Sequence, residues 1–162
     1  MKAAASKMIL GQISEVLFLL LLPIFIKRYG IKNALIVGIL AWGIRYILFA
    51  YGNVGTQVWM LIFGIILHGV CYDFFFVSGQ IYTDFKAGEK FKSTAQGLIT
   101  LATYGVGMLI GFRFAGWLTD QYVTDSGHLW KNIWVQPAIF SFVVLTLFLI
   151  FFKNETIKIK TV

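Results

Sequence analysis

Ionisable and hydrogen-bonding side chains interrupt the long apolar stretches of this sequence, and their spacing indicates a site for a polar solute. Gln12 and Glu15 are three residues apart, so a helix would place them on one face. His68 and Tyr72 are four apart and also share a face, and Asp73 follows about 100° further around the helix. Amide, hydroxyl, imidazole and carboxylate groups all exchange hydrogen bonds with polar solutes. We therefore predict that these five residues contact a solute.

Glu15 and Asp73 are also the candidates for proton transfer, and Arg45 is a candidate partner for one of them. Burial of a carboxylate favours its protonated form, whereas a neighbouring cation favours the ionised form. Arg45 either pairs with one of these acids inside the protein or extends its side chain to the membrane surface. We expect a pair with Asp73, which would leave Glu15 as the proton carrier. If Arg45 does otherwise, the roles of the two acids exchange or merge.

The composition around these residues is that of a membrane protein. Hydrophobic residues make up 59% of the 162 residues and charged residues only 13%, about half the charged share of a typical soluble domain. The net charge of +7 comes from basic residues clustered between apolar runs, which argues against a nucleic-acid-binding face. Cys71 is the only cysteine and lies in an apolar run, so we expect it to pack rather than to bind a metal. No cofactor site is predicted.

Five apolar stretches are long enough to cross a bilayer, which takes roughly 17–25 residues of helix. They lie at approximately 6–26, 31–49, 58–82, 94–118 and 133–152. Backbone polar groups in lipid must be satisfied within the segment, so each stretch is expected to be a helix. The predicted fold class is an all-α integral membrane protein with about five transmembrane helices.

The basic residues give an orientation, because lysine and arginine accumulate on the cytoplasmic side of a membrane. Nine of them fall in the first connection, the third connection and the tail: Lys27, Arg28, Lys32, Lys86, Lys90, Lys92, Lys153, Lys158 and Lys160. Three fall on the other side: Lys2, Lys7 and Lys131. We expect a multi-pass protein of the inner cell membrane with a cytoplasmic C-terminus. An outside N-terminus needs a preceding helix, so we also expect the chain to be a C-terminal portion of a longer one.

Three charges are expected near mid-membrane in this arrangement. Counted from the cytoplasmic ends of their helices, Glu15, Arg45 and Asp73 lie roughly 15–21 Å along the axis, in a hydrocarbon layer about 30 Å thick. An ionisable residue at that depth is costly and is a functional candidate by default. Arg113 lies near a helix end, where we expect it to extend to the surface.

An ordered set of short motifs resembles the nucleoside:proton symporter family, the bacterial nucleoside permeases of the major facilitator superfamily. The motifs are GQISE at 11–15, RYGIKN at 28–33, AW at 41–42 followed by Arg45, FAYG at 49–52, YDFF at 72–75 with SG at 78–79, and STAQG at 93–97. The resemblance implies that the chain corresponds to helices eight to twelve of a twelve-helix transporter. It further implies nucleoside uptake with protons, in partnership with the bilayer and with the missing N-terminal helices.

The resemblance also implies a solute site between two six-helix halves, to which Gln12, Glu15, Tyr72 and Asp73 contribute. Family members often have tyrosine where this chain has His68 and phenylalanine where it has Tyr72, so these departures bear on which nucleoside is preferred. The residues leave two other functions open: a non-transporting membrane interaction module, and a transporter of another small polar solute such as a sugar. An intramembrane enzyme is not predicted, because the sequence lacks paired aspartates and a histidine-rich metal face.

Overall fold

The structure, a computed structural model, describes residues 4–125 and 127–153, with side chains from Met8 onwards. The described chain is helical apart from short connections and one hairpin of two-residue strands. The α-helices are α1 (Ala4–Tyr29), α2 (Ile31–Tyr51), α3 (Val58–Cys71), α4 (Ser78–Thr100), α5 (Met108–Gln121) and α6 (Trp130–Phe151). Two π-helices, π1 (Tyr72–Val77) and π2 (Leu101–Gly107), join α3 to α4 and α4 to α5, and the hairpin pairs β1 (Val123–Thr124) with β2 (Gly127–His128).

Four helical stretches of the described chain are long and apolar enough to cross a membrane: Met8–Tyr29, Ile31–Tyr51, Val58–Gln121 and Trp130–Phe151. The third contains 64 residues, and a straight helix of that length would measure roughly 96 Å, about three times the hydrocarbon thickness. A break in this stretch is therefore required if it is to lie within a bilayer.

Gly88 supplies that break. Its φ of +66° lies in the left-handed region, which glycine adopts without the steric cost that a side chain brings. Contacts then pair residues at equal distances on the two sides of the bend: Lys92 with Asp84 at 3.3 Å, and the Gln96 side chain with the Gln80 carbonyl oxygen at 2.9 Å. The stretch is thus a hairpin of two antiparallel helical arms, so the described chain has five segments that are long and apolar enough to cross a membrane. The predicted all-α membrane fold is confirmed.

The core lies where α1, α2, α3 and π1 meet, and small residues let their backbones approach closely. Its buried members are Leu22, Ile26, Ile31, Ala34, Leu35, Ala41, Val70, Cys71 and Phe74. A Cβ on Gly38 of α2 would lie 2.7 Å from the Phe74 carbonyl carbon. Between helices in lipid, such close packing replaces the hydrophobic driving force that soluble proteins use. The crossing therefore holds π1 firmly against α2.

Candidate functional site

The crossing of α1 and α3 positions the first pair of predicted site residues. Ser14 donates its hydroxyl proton to the Gly11 carbonyl oxygen at 2.7 Å and accepts the Gly69 backbone N–H at 3.2 Å. A Cβ on Gly69 would lie 2.5 Å from the Ser14 carbonyl carbon, so the two backbones are in contact. Gln12 and Glu15 flank Ser14 on α1, with Gln12 exposed and Glu15 partly buried. The crossing thereby sets Glu15 beside the end of α3.

Three polar side chains, Arg45, His68 and Glu15, join α1, α2 and α3 at this level, and we call them the polar triplet. Arg45 Nη1 lies 3.0 Å from His68 Nδ1, and His68 Nε2 lies 3.9 Å from Glu15 Oε2. The Arg45 guanidinium also lies over the rings of Trp42 and Phe49, at 5.4 and 5.3 Å from their centroids. The side chains of His68 and Glu15 remain 34% and 33% exposed. The Arg45 end of the polar triplet therefore lies against aromatic rings, and the Glu15 end is partly exposed.

The Arg45 contact selects the tautomer of His68. A guanidinium has only donors, so Nδ1 of His68 must accept a hydrogen bond from it. The ring proton then resides on Nε2, the nitrogen nearer to Glu15. A second proton on Nδ1 would destroy the bond to Arg45. His68 is accordingly presented to Glu15, or to a ligand beside it, as a neutral N–H donor.

Asp73 is not part of the polar triplet. It is 1% exposed, and its Oδ2 atom has no hydrogen-bond partner within the described part of the protein. Among the described residues no ion pair joins it to Arg45, whose guanidinium instead contacts His68. The expected pair between Arg45 and Asp73 is therefore corrected. The physical reason is burial, because π1 encloses Asp73 among buried residues, whereas His68 offers Arg45 a partly exposed ring nitrogen at 3.0 Å.

Tyr72 lies next to His68, with 6.2 Å between their ring centroids, and its hydroxyl is 2.6 Å from that of Tyr104 in π2. Tyr104 was not among the residues predicted from the sequence. The sequence carries one relevant signal, because Tyr72 and Tyr104 each lie 16 residues from Gly88. This equal spacing is informative only once Gly88 is known to be the bend between two antiparallel arms.

The structure thus brings together Glu15, His68 and Arg45, sets Tyr72 beside them and leaves Gln12 exposed on the same stretch of α1. Arg113 is exposed on α5. No group of three or more histidine, cysteine, aspartate or glutamate residues in the described chain could hold a metal ion. Polar and charged side chains at the contacts of membrane-crossing helices are typical of solute transporters.

The chain belongs to the nucleoside H+ symporter family, whose family model matches residues 1–157. This membership confirms the resemblance noted in the sequence.

Individual relatives agree in sequence and in fold. The protein YegT of Escherichia coli (strain K12) is 40% identical over 171 residues, which cover 99% of this chain and 40% of YegT. The nucleoside permease NupG of the same organism is 34% identical over 157 residues, covering 95% of this chain and 37% of NupG. A crystal structure of the nucleoside transporter NupG superposes with a TM-score of 0.86 at 33% identity, over 94% of this chain and 38% of that chain. The chain spans about two-fifths of the length of these relatives.

Proposed function

We propose that this chain contributes to nucleoside transport by proton symport, as part of a larger transporter in the inner cell membrane with its C-terminus in the cytoplasm. The proposal rests on the contacts within the polar triplet of Arg45, His68 and Glu15. The triplet is partly exposed at Glu15, and Gln12 on the same helix is exposed. Membership of the nucleoside H+ symporter family names the solute class and the coupled ion.

The polar groups at the Glu15 end of the polar triplet match the hydrogen-bonding groups of a nucleoside. Ribose hydroxyls and base edges offer both donors and acceptors, which suit the amide of Gln12, the carboxylate of Glu15 and the Nε2–H of His68. Tyr72 adds an aromatic face and a hydroxyl next to His68. In the proposed site Gln12 and Glu15 come from α1, whereas His68 and Tyr72 come from the other side of the α1–α3 crossing.

We assign proton coupling to Glu15. A proton carrier must exchange protons with water and lie close to the bound solute. Glu15 is partly exposed and lies beside the Nε2–H group of His68 in the proposed site. Asp73 is 1% exposed, which limits its contact with both water and solute. In the proposed cycle, protonated Glu15 and bound nucleoside cross together as the two halves of the transporter rock around the site. Asp73 remains the alternative carrier.

Uptake into proteoliposomes of the complete transporter tests this assignment. Glu15→Gln keeps the size and shape of the side chain and, like the protonated carboxyl, still donates and accepts hydrogen bonds, but it cannot release a proton. We expect nucleoside exchange without a gradient to persist, while a pH gradient no longer drives accumulation above the outside concentration. The measurement is the inside-to-outside ratio of labelled uridine with and without the gradient.

Two further variants make the result specific. Asp120→Asn removes an exposed carboxylate at the end of α5 and should leave accumulation intact. Asp73→Asn tests the alternative carrier directly. Gradient-driven accumulation that survives in Glu15→Gln and disappears in Asp73→Asn would transfer the coupling role to Asp73, and a wild-type protein that takes up no nucleoside would refute the proposed function.

A further inference from the structure

We infer that Tyr104 is a positioning residue of the solute site, which acts by holding Tyr72 in place and so helps to set nucleoside affinity. The inference rests on the proposed function for its solute class. It adds a residue from the arm after the Gly88 bend to a site otherwise built from α1 and from the arm before the bend.

The direct evidence is the contact between two hydroxyl groups. Tyr72 and Tyr104 are both partly buried, and their hydroxyl oxygens lie 2.6 Å apart. Phe76 lies against both rings, with centroid distances of 5.4 Å to Tyr72 and 5.9 Å to Tyr104. Both tyrosines are thereby held at the ring as well as at the hydroxyl. A hydroxyl bound in this way keeps one direction in space instead of rotating.

The backbone at this contact is unusual on both arms. Tyr72 is the first residue of π1 and Tyr104 lies inside π2. π-helical turns are rare and occur frequently at functional sites. Here the two π-helices face each other across the helical hairpin through the contact of Tyr72 with Tyr104. This contact lies next to the ring of His68, which packs against that of Tyr72. The hydroxyl pair is therefore both a link between the arms and a neighbour of the solute site.

The pair has a definite hydrogen-bonding capacity. Each tyrosine hydroxyl carries one proton and also accepts hydrogen bonds. When one hydroxyl donates to the other, one proton is used within the pair and the second proton stays free. An acceptor on the solute, such as a base carbonyl or a ribose oxygen, can accept a hydrogen bond from the hydroxyl that carries this proton. Loss of the Tyr104 hydroxyl would leave Tyr72 present but no longer directed, so the effect of Tyr104 passes through Tyr72.

The test is a double-mutant cycle in the complete transporter, with uridine and adenosine as the probes. We expect Tyr104→Phe and Tyr72→Phe each to raise the nucleoside Kd roughly fivefold, the usual worth of one hydrogen bond. The variant with both substitutions should be no worse than either single variant, because the hydroxyls act as a unit. Tyr104→Phe should raise the nucleoside concentration at half-maximal transport more than it lowers the maximal rate. Tyr82→Phe is the control, since the contacts of Tyr82 among the described residues are made by its ring.

Each contrary result has a separate meaning. If the wild type binds nucleoside and Tyr104→Phe leaves the Kd unchanged while lowering the melting temperature, the pair is structural and the inference fails. Additive effects of the two single variants would also overturn it. If Tyr104→Phe does not fold, Tyr72→Phe breaks the same bond from the other side, and an unchanged Kd there overturns the inference. A wild type that binds no nucleoside would refute the proposed function itself.

Discussion

His68 has a charged neighbour at each of its two ring nitrogens. Arg45 of α2 occupies one ring nitrogen, and the other ring nitrogen is directed towards Glu15 of α1. The rings of Trp42 and Phe49 lie 5.4 and 5.3 Å from the guanidinium carbon and cover part of it. The sequence named Arg45, His68 and Glu15 as candidates, but it could not identify which of them contact each other. Spacing along one helix says which residues share a face, and it says nothing about which face another helix presents.

We expect the contact between Arg45 and His68 to contribute to stability. Arg45→Leu and His68→Phe should each destabilise the protein, because each removes the observed partner of the other side chain. Loss of His68 removes the imidazole partner of a charged guanidinium, and the cost of that removal disappears when Arg45 is replaced too. The two substitutions together should therefore cost less than their sum, by about 0.5–3 kcal/mol. The free energy of unfolding in detergent, measured for all four proteins, gives the coupling.

Arg113 supplies the matched control, since it is an exposed arginine on α5. Arg113→Leu combined with His68→Phe should be additive. Additivity of Arg45→Leu with His68→Phe as well would mean that the 3.0 Å contact contributes nothing to stability.

At the scale of the elements, close backbone contact rather than long side chains holds the site together. The contact of Gly69 with Ser14 fixes α3 against α1, and that of Gly38 with Phe74 fixes π1 against α2. The site residues Glu15 and His68 each lie next to the first of these contacts. Any change that separates the two backbones should therefore also separate the two halves of the solute site.

Gly69→Val tests this dependence. Its side chain would meet the Ser14 backbone, which cannot move aside as a flexible side chain would. We expect a loss of about 1–3 kcal/mol in stability, together with weaker nucleoside binding. Gly97→Val is the control, because nothing lies within 4 Å of a Cβ at Gly97, which also lies inside a helix. A Gly69→Val protein that binds nucleoside like the wild type would show that the α1–α3 contact does not position the site.

The elements also show where sequence-based inference stops. The membrane-crossing segments could be predicted because each needs only a long apolar run. The bend at Gly88 lies between two such runs, so a connection was expected there, although its left-handed glycine was not. The π-helices could not be predicted, because the sequence YDFFFV at 72–77 has no feature that separates a π-turn from an α-turn. The contact between Tyr72 and Tyr104 depends on both of these features.

At the scale of the whole molecule, the basic segments gather at one end. Lys32 donates a hydrogen bond to the Phe152 carbonyl oxygen at 2.5 Å, which sets the α1–α2 turn against the end of α6. The ring of Tyr82, near the Gly88 bend, lies 5.1 Å from that of Phe152. Three segments that were expected on the cytoplasmic side therefore lie close together. Lys2, Lys158 and Lys160 lie outside the described residues.

We predict that the C-terminus and the basic segments near it face the cytoplasm. A reporter that is active only in the cytoplasm should be active when fused after Val162, and inactive when inserted after Asn53 in the connection between α2 and α3. The reason is the accumulation of basic residues at the α6 end and their scarcity at the other end. Opposite activities in well-expressed fusions would reverse the orientation, and activity at both positions would mean that the insertion had disturbed the fold.

The two π-helices have a consequence for how the length of this region can vary. A π-turn holds more residues than the α-turn it replaces. Deleting one residue between 72 and 77 would let that turn relax to an α-turn, while the residues after it keep nearly the same direction. Gln80 would then still meet Gln96, and the two arms would stay in phase. π1 and π2 are thus the places where this hairpin can shorten by one residue without losing its alignment.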